Sequence, residues 1–166
     1  MNMTFKTCLM AMLLATGTHL CAQTRVKMTN AEGPRTQHTE GPENLIDGLL
    51  YTKWCYLGNG QKGFPYEVTL TASESFSLKR YAMATADDTG WYPGRNPMNW
   101  KVQGSNDKSK WTTLDEKKYN WTMDAQNEQV FNFDVKDAAS FKYYRFVFDR
   151  LQQGTTIQLS EIMLYK

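Results

Sequence analysis

The sequence predicts an all-β protein, an antiparallel β-sandwich, and three observations carry that prediction. Short segments alternate apolar and polar residues with the period of a strand. Phe131, Phe133 and Val135 lie on one face of residues 129–135, and Tyr144, Phe146 and Phe148 on one face of residues 142–149. Clusters of Gly, Pro, Asn, Asp and Ser separate such segments at short intervals, and only one turn of helix is signalled. The chain is 13% aromatic, with five Trp and nine Tyr, and aromatic residues suit half-buried pleated surfaces.

Residues 1–23 read as a cleaved secretory signal, not as fold. Lys6 precedes an uncharged apolar run from Cys8 to Ala15, and small and polar residues follow, ending His19-Leu20-Cys21-Ala22-Gln23. The run is too short to span a bilayer. A lipoprotein signal needs a small residue before Cys21, and Leu20 stands there. The expected product is residues 24–166, one domain, secreted or placed in the periplasm or at the cell surface. The leader takes only Lys6 from a formal net charge of +2, so the domain carries no electrostatic footprint for nucleic acid and no membrane-directed basic patch. Cys55 is then the one cysteine left, which excludes an internal disulfide and reads as a buried, inert thiol.

Within the domain, residues 25–29 alternate weakly and suggest an edge strand. Residues 30–42, with Gly33, Pro34, Gly41 and Pro42, suggest a long loop. Residues 43–50 suit one helical turn that Pro42 starts and Gly48 ends. Strands are expected at 54–57 and 66–70, separated by a Gly-rich loop at 59–65, with a polar bend at 71–76. Residues 78–86 read as a central strand: Tyr81 and Met83 share one face and Ala82, Ala84 and Ala86 the other, with no charge on either. Residues 87–97 form a loop. A hairpin follows in which Trp100 and Val102 point inward; Gly104, Ser105, Asn106 and Asp107 make the turn, and Trp111 opens a second arm ending near Asp115. A tryptophan on each arm gives the pair apolar area to bury. Residues 116–128 are polar and irregular apart from Trp121, 151–156 form a loop, and 157–165 read as a single final strand.

Catalytic chemistry finds little support. His38 is the only histidine outside the leader, no His-x-x-x-His or Cys-x-x-Cys spacing occurs, and there is no Gly-rich phosphate loop. Asp87 and Asp88 are adjacent, and sequence neighbours diverge in space, which makes a poor acid/base pair. The chain is expected not to be an enzyme.

Three stretches together resemble the discoidin domain, also called the coagulation factor V/VIII type C domain, and its bacterial relatives among the family 32 carbohydrate-binding modules. They are Arg95-Asn96-Pro97 with Trp100 and Gly104-Ser105-Asn106-Asp107 to Trp111; Asn44-Leu45-Ile46-Asp47-Gly48 with Thr52-Lys53-Trp54; and Tyr143-Tyr144-Arg145-Phe146 with Gln158-Leu159-Ser160-Glu161-Ile162. The resemblance covers about residues 25–166 and implies a jelly-roll, galactose-binding-like sandwich. Asn96 stands where Asp is usual. Lys108 stands where Gly is usual, which implies a different turn after Asp107. The missing disulfide sides with the bacterial branch.

The resemblance further implies a structural calcium. Asp47, Thr52 and Glu161 match positions that hold it in many bacterial members, with backbone carbonyls here falling on Asn44, Leu49 and Ser160. Calcium takes six to eight hard oxygens in a flexible shell, and two acids would offset its charge. The alternative is that Asp47 caps the turn and Glu161 accepts bonds from backbone N–H groups, or that sodium or water takes the place of calcium. Ligands in the family bind in loops at one end of the sandwich. Sugar recognition needs a flat aromatic for the C–H face and polar groups for the hydroxyls. Residues 87–97 supply Trp91, Tyr92 and Arg95, and residues 30–42 supply Arg35 and His38; the alternative is that Trp91 and Tyr92 pack their loop and Arg95 pairs with an internal acid. The expected function is a non-catalytic glycan- or glycoprotein-binding module, the alternative a protein-binding, adhesion or surface-assembly module on the same fold. The pattern of the family's galactose binders is not reproduced, so the sugar is left unnamed.

Overall fold

A computed structural model describes residues 23–58, 63–119, 125–136 and 139–166. The expected leader, apart from Gln23, and Trp121 lie outside them. The strands are β1 (Met28–Glu32), β2 (Trp54–Tyr56), β3 (Tyr66–Ser77), β4 (Arg80–Ala84), β5 (Pro97–Ser105), β6 (Thr112–Lys118), β7 (Val130–Asp134), β8 (Ser140–Leu151), β9 (Ile157–Leu159) and β10 (Glu161–Tyr165). Single 3-10 turns occupy Pro42–Leu45 and Pro93–Arg95. Every strand pairing is antiparallel. One sheet has the order β1-β3-β8-β5-β6, a second β10-β4-β7, and β2 pairs with β9. Among the described residues no helix is long and apolar enough to cross a membrane.

The two larger sheets face each other across an aromatic core. From the five-stranded side come Trp100, Val102, Tyr144, Phe146 and Phe148, all fully buried, and from the other Tyr81, Met83 and Phe133. Tyr81 meets the edge of Phe146 at 5.5 Å and Trp100 meets Phe133 at 5.2 Å, which places each sheet's apolar face on the other. Trp54 closes the core from β2, 6.1 Å from Phe148. As the uncharged faces of residues 81–86 predict, β4 lies in the middle of its sheet and is buried on both sides. The chain ends of the domain meet: Thr24 and Lys166 exchange two backbone hydrogen bonds, beside a lone bridge between Arg25 and Tyr165.

Several expectations are corrected. The first edge strand starts at Met28, not Arg25, and takes in three residues expected in the following loop. The bend expected at 71–76 is part of β3; its register against β8 is interrupted between Thr71 and Phe76 instead. The second hairpin arm runs on from Thr112 to Lys118. The final strand is two strands, because the chain leaves β2 and joins β4 at Ser160, whose N–H donates to the Ala84 carbonyl and whose hydroxyl donates to the Leu50 carbonyl. Trp111 is not core; it lies on the outer face of the five-stranded sheet, with the Arg145 guanidinium 4.2 Å over its ring. Lys108 adopts φ +58, the left-handed conformation that glycine takes most readily. The Ser105 hydroxyl accepts the Lys108 N–H at 3.0 Å, and Asp107 Oδ1 accepts the Lys110 and Ser109 N–H groups, each at 2.8 Å. Those backbone bonds hold the Asp107 carboxyl well below its usual range.

Candidate functional site

β4 ends at Ala84, and from there the chain folds into successive tight turns. The N–H groups of Trp91 and Tyr92 donate to the Asp88 carbonyl, and Gly90 N–H donates to Asn127 Oδ1 at 2.7 Å. Lys53 anchors the start of this loop: its ammonium is 2.6 Å from Asp88, 3.1 Å from Asp87 and 3.9 Å from Glu40. Burial works to lower the Lys53 pKa, but hydrogen bonds to Asp88 and Asp87 outweigh it and the net shift is upward.

The turns lift Trp91 and Tyr92 into solvent, at 84% and 47% exposure. The next turn, Pro93–Arg95, brings Arg95 back underneath. Its guanidinium lies 3.8 Å over the Tyr92 ring, and one terminal N–H donates to Gln158 Oε1 at 3.1 Å. The partner is thus an amide and not the internal acid considered from sequence. Gln158 is fully buried on β9, opposite Cys55 of β2, whose thiol burial pushes up to about 11. Residues 152–156 form the facing wall. Gln153 N–H donates to the Gly94 carbonyl at 2.8 Å and Gln152 N–H to the Asn96 carbonyl at 3.0 Å. Between the walls is a cleft of about 280 Å³, lined by residues 91–95 and 153–156. Behind the second wall, the Tyr66 hydroxyl donates to the Thr155 carbonyl at 2.9 Å, and Gly58 is pressed against both.

This loop pair also concentrates buried polar atoms with no protein partner. Among the described residues they belong to Asp88, Thr89, Asn96, Gln152 and Gln158. Such groups normally find partners in internal water or bound ligand.

The structure thus brings Trp91, Tyr92 and Arg95 to one cleft. It does not bring Arg35 and His38 there: His38 is exposed, and Arg35 is tied to the His38 carbonyl at 3.1 Å and to Glu43 at 2.5 Å. Sequence reasoning missed the facing wall and Gln158. The only available signal was the polar run Gln152-Gln153-Gly154-Thr155-Thr156 ahead of the last strands.

The residues matched to calcium gather at a second place. Gly48 takes φ +84, which no side chain would favour, and lets the chain reverse after Asp47. The Thr52 hydroxyl lies 2.8 Å from Asp47 Oδ2 and 3.0 Å from the Leu49 carbonyl, so three hard oxygens converge. Glu161, only 1% exposed, accepts the Gly48 N–H at 3.0 Å on one oxygen and faces Arg25 at 2.5 Å on the other. Burial raises its pKa to about 7; Arg25 and the Gly48 N–H work against that, and Asp47 adds to it. Asn44 donates its side-chain amide N–H groups to the Thr39 and Lys53 carbonyls, and the Ser160 hydroxyl donates to the Leu50 carbonyl at 2.7 Å. Among the described residues no three His, Cys, Asp or Glu side chains converge, so backbone and hydroxyl oxygens would complete any shell.

The sequence model of the F5/8 type C domain matches residues 28–162. No curated protein matches the chain. Among solved structures, the chain is similar to the family 32 carbohydrate-binding module of NanJ from Clostridium perfringens, in complex with galactose, at 14% identity and TM-score 0.71, covering 87% of this chain and 99% of that one. It is also similar to CpGH89CBM32-5 from Clostridium perfringens, in complex with GalNAc-β-1,3-galactose, at 15% identity and TM-score 0.70, covering 86% and 100%. A third is the family 32 module of AlyQ, in complex with 4,5-unsaturated mannuronic acid, at 15% identity and TM-score 0.66, covering 85% and 97%. At these identities the likeness shows the shared β-sandwich fold.

Proposed function

The chain belongs to the F5/8 type C domain family, and from that premise we propose that it is an exported, non-catalytic carbohydrate-binding module whose leader, residues 1–23, is removed. The observation that carries the reading is the cleft between residues 91–95 and 153–156, where an exposed tryptophan stands beside a fixed guanidinium. Trp91 gives a flat face for the C–H side of a sugar ring, and Arg95 with the Thr155 and Thr156 hydroxyls gives polar groups for its oxygens. Three structurally similar modules carry sugars in their complexes, which supports a glycan as the partner of this cleft.

The test is a glycan array on residues 24–166, followed by titration of the best ligand. Trp91→Ala weakens that binding tenfold or more, while stability stays within about 0.5 kcal/mol because the side chain is exposed. A Trp91→Ala protein that binds normally and is stable, or an array with no ligand, overturns the glycan reading.

Calcium at the turn of residues 44–52 is part of the same proposal. Asp47, Thr52 and Glu161, with the Asn44, Leu49 and Ser160 carbonyls, would hold it, and the ion would tie that turn to β10. Chelator then lowers the melting temperature and calcium restores it, by about 1.4 kcal/mol at a tenfold excess over Kd. Asp47→Ala abolishes the response. A melt indifferent to chelator, with Asp47→Ala merely destabilising, assigns Asp47 as a cap of the turn.

A further inference from the structure

Resting on the glycan reading of the cleft, we infer that the sugar it takes is acidic, a hexuronate whose carboxylate pairs with Arg95. Arg25, Arg35, Arg80 and Arg145 each have a carboxylate within 3.1 Å. Arg150 is exposed and solvated. Arg95 is half-buried and has no carboxylate at ion-pair distance among the described residues. A cation withdrawn from water needs a countercharge, and among the described residues this one finds only an amide oxygen and a ring face.

The guanidinium is held ready for an anion. It lies 3.8 Å over the Tyr92 ring, and one N–H is fixed by Gln158, which is itself fully buried with its own Nε2 lacking a partner among the described residues. The rest of the five-donor fork makes no hydrogen bond to a described residue, and two parallel N–H groups match a planar carboxylate. Among the described residues no acid lines the cleft: the facing wall is Gln153, Gly154, Thr155 and Thr156. The nearest acids in sequence, Asp87 and Asp88, are turned to Lys53. A neutral sugar would satisfy some of these donors through hydroxyls but would leave the charge unanswered. At about 280 Å³ the cleft is at the small end for ligand sites, so the acid sits on the one sugar residue that Trp91 covers.

The experiment is calorimetric titration at neutral pH with trimers of galacturonate, mannuronate and glucuronate, each beside the neutral trimer of the same linkage, and with sulfated galactose as a further anion. At least one uronate trimer binds about tenfold more tightly than its neutral counterpart. The preference shrinks with added salt. Arg95→Gln removes it, and Arg95→Lys, which keeps the charge without the fork, retains only part. Should Arg95→Gln not fold, Arg95→Lys decides alone: an undiminished preference overturns the assignment to the fork. A neutral trimer that binds as tightly as its acid overturns the inference and leaves the glycan reading intact. Sulfated galactose binding more tightly than every uronate overturns the carboxylate. Failure of all sugars, acidic and neutral, overturns the glycan reading itself.

Discussion

Trp100→Ala destabilises the protein by about 3–5 kcal/mol, the usual penalty for emptying a large aromatic site, and under ordinary expression conditions leaves little folded material. Trp100 is fully buried on β5, edge-on to Phe133 at 5.2 Å and to Tyr119 at 6.0 Å. It also heads a buried hydrogen-bond chain. Its indole N–H donates to the Tyr81 hydroxyl at 2.8 Å, and that hydroxyl donates to Asp115 Oδ2 at 2.8 Å. Burial first, and the bond to Asp115 second, hold the Tyr81 hydroxyl far above its usual pKa, so it stays a neutral donor. The chain joins both large sheets, since Tyr81 is on β4 and Trp100 and Asp115 are on β5 and β6. Truncation therefore removes packing and a bond in the same place. Denaturant melts of the wild type, Trp100→Ala and Trp100→Phe check this. Phe restores part of the packing but not the N–H, so it falls between the two; a Trp100→Ala loss below about 1 kcal/mol would contradict the assignment of Trp100 to the core.

Gly58→Ala costs about 3–5 kcal/mol and weakens ligand binding together with stability. Gly58 sits at φ +54, where a Cβ is disfavoured by about 1–2 kcal/mol, and it has no room for one. The added carbon would overlap the Tyr66 hydroxyl and come within 2.7 Å of the Thr155 carbonyl. Those two groups bond to each other, so relief of the overlap breaks that bond, worth about 1–3 kcal/mol when a buried group is left unpaired. Thr155 lines the cleft, which is why affinity falls too. Gly63→Ala, at a site with open space around it, is the control and leaves both unchanged. If Gly58→Ala lowers the melting temperature but leaves affinity intact, the 152–156 wall is not part of the ligand site.

Much of this was legible in the sequence because it depends on short-range pattern. Tyr144, Phe146 and Phe148 alternate inward along β8, as do Trp100 and Val102 along β5, and no longer-range information was needed to place them. Trp91 is exposed for an equally local reason, a glycine and a run of turns around it. What escaped depends on partners distant in sequence. The alternation through residues 157–165 continues smoothly across Ser160, and nothing local marks the exchange of β2 for β4 as partner. The exposed run Ser73-Glu74-Ser75 reads as a bend, yet the chain stays extended through it while its register against β8 is interrupted. Lys108 shows that a left-handed turn needs no glycine when a serine hydroxyl and an aspartate gather its N–H groups. The second wall of the cleft is a plain polar loop in sequence; only the pairing of Gln152 and Gln153 with the 93–96 turn makes it a wall.

The meeting of Thr24 with Lys166 has a consequence for how the module is mounted. β10 starts at Glu161, opposite Ala84 at the loop end of β4, and runs away to Tyr165, opposite Arg80. At about 3.3 Å per residue, those four steps put the joined chain ends roughly 13 Å from the end that carries the cleft. Any polypeptide attached before Thr24 or after Lys166 therefore leaves from one spot, on the side away from the cleft. Hung from a longer chain by either end, the domain would hold its cleft outward like a head on a stalk. Spliced through both ends into a loop of a host protein, it would ask that loop to open by little more than the width of a paired strand, about 5 Å. A tether pulling against a bound ligand would load the domain along its length, whichever end it was tied to.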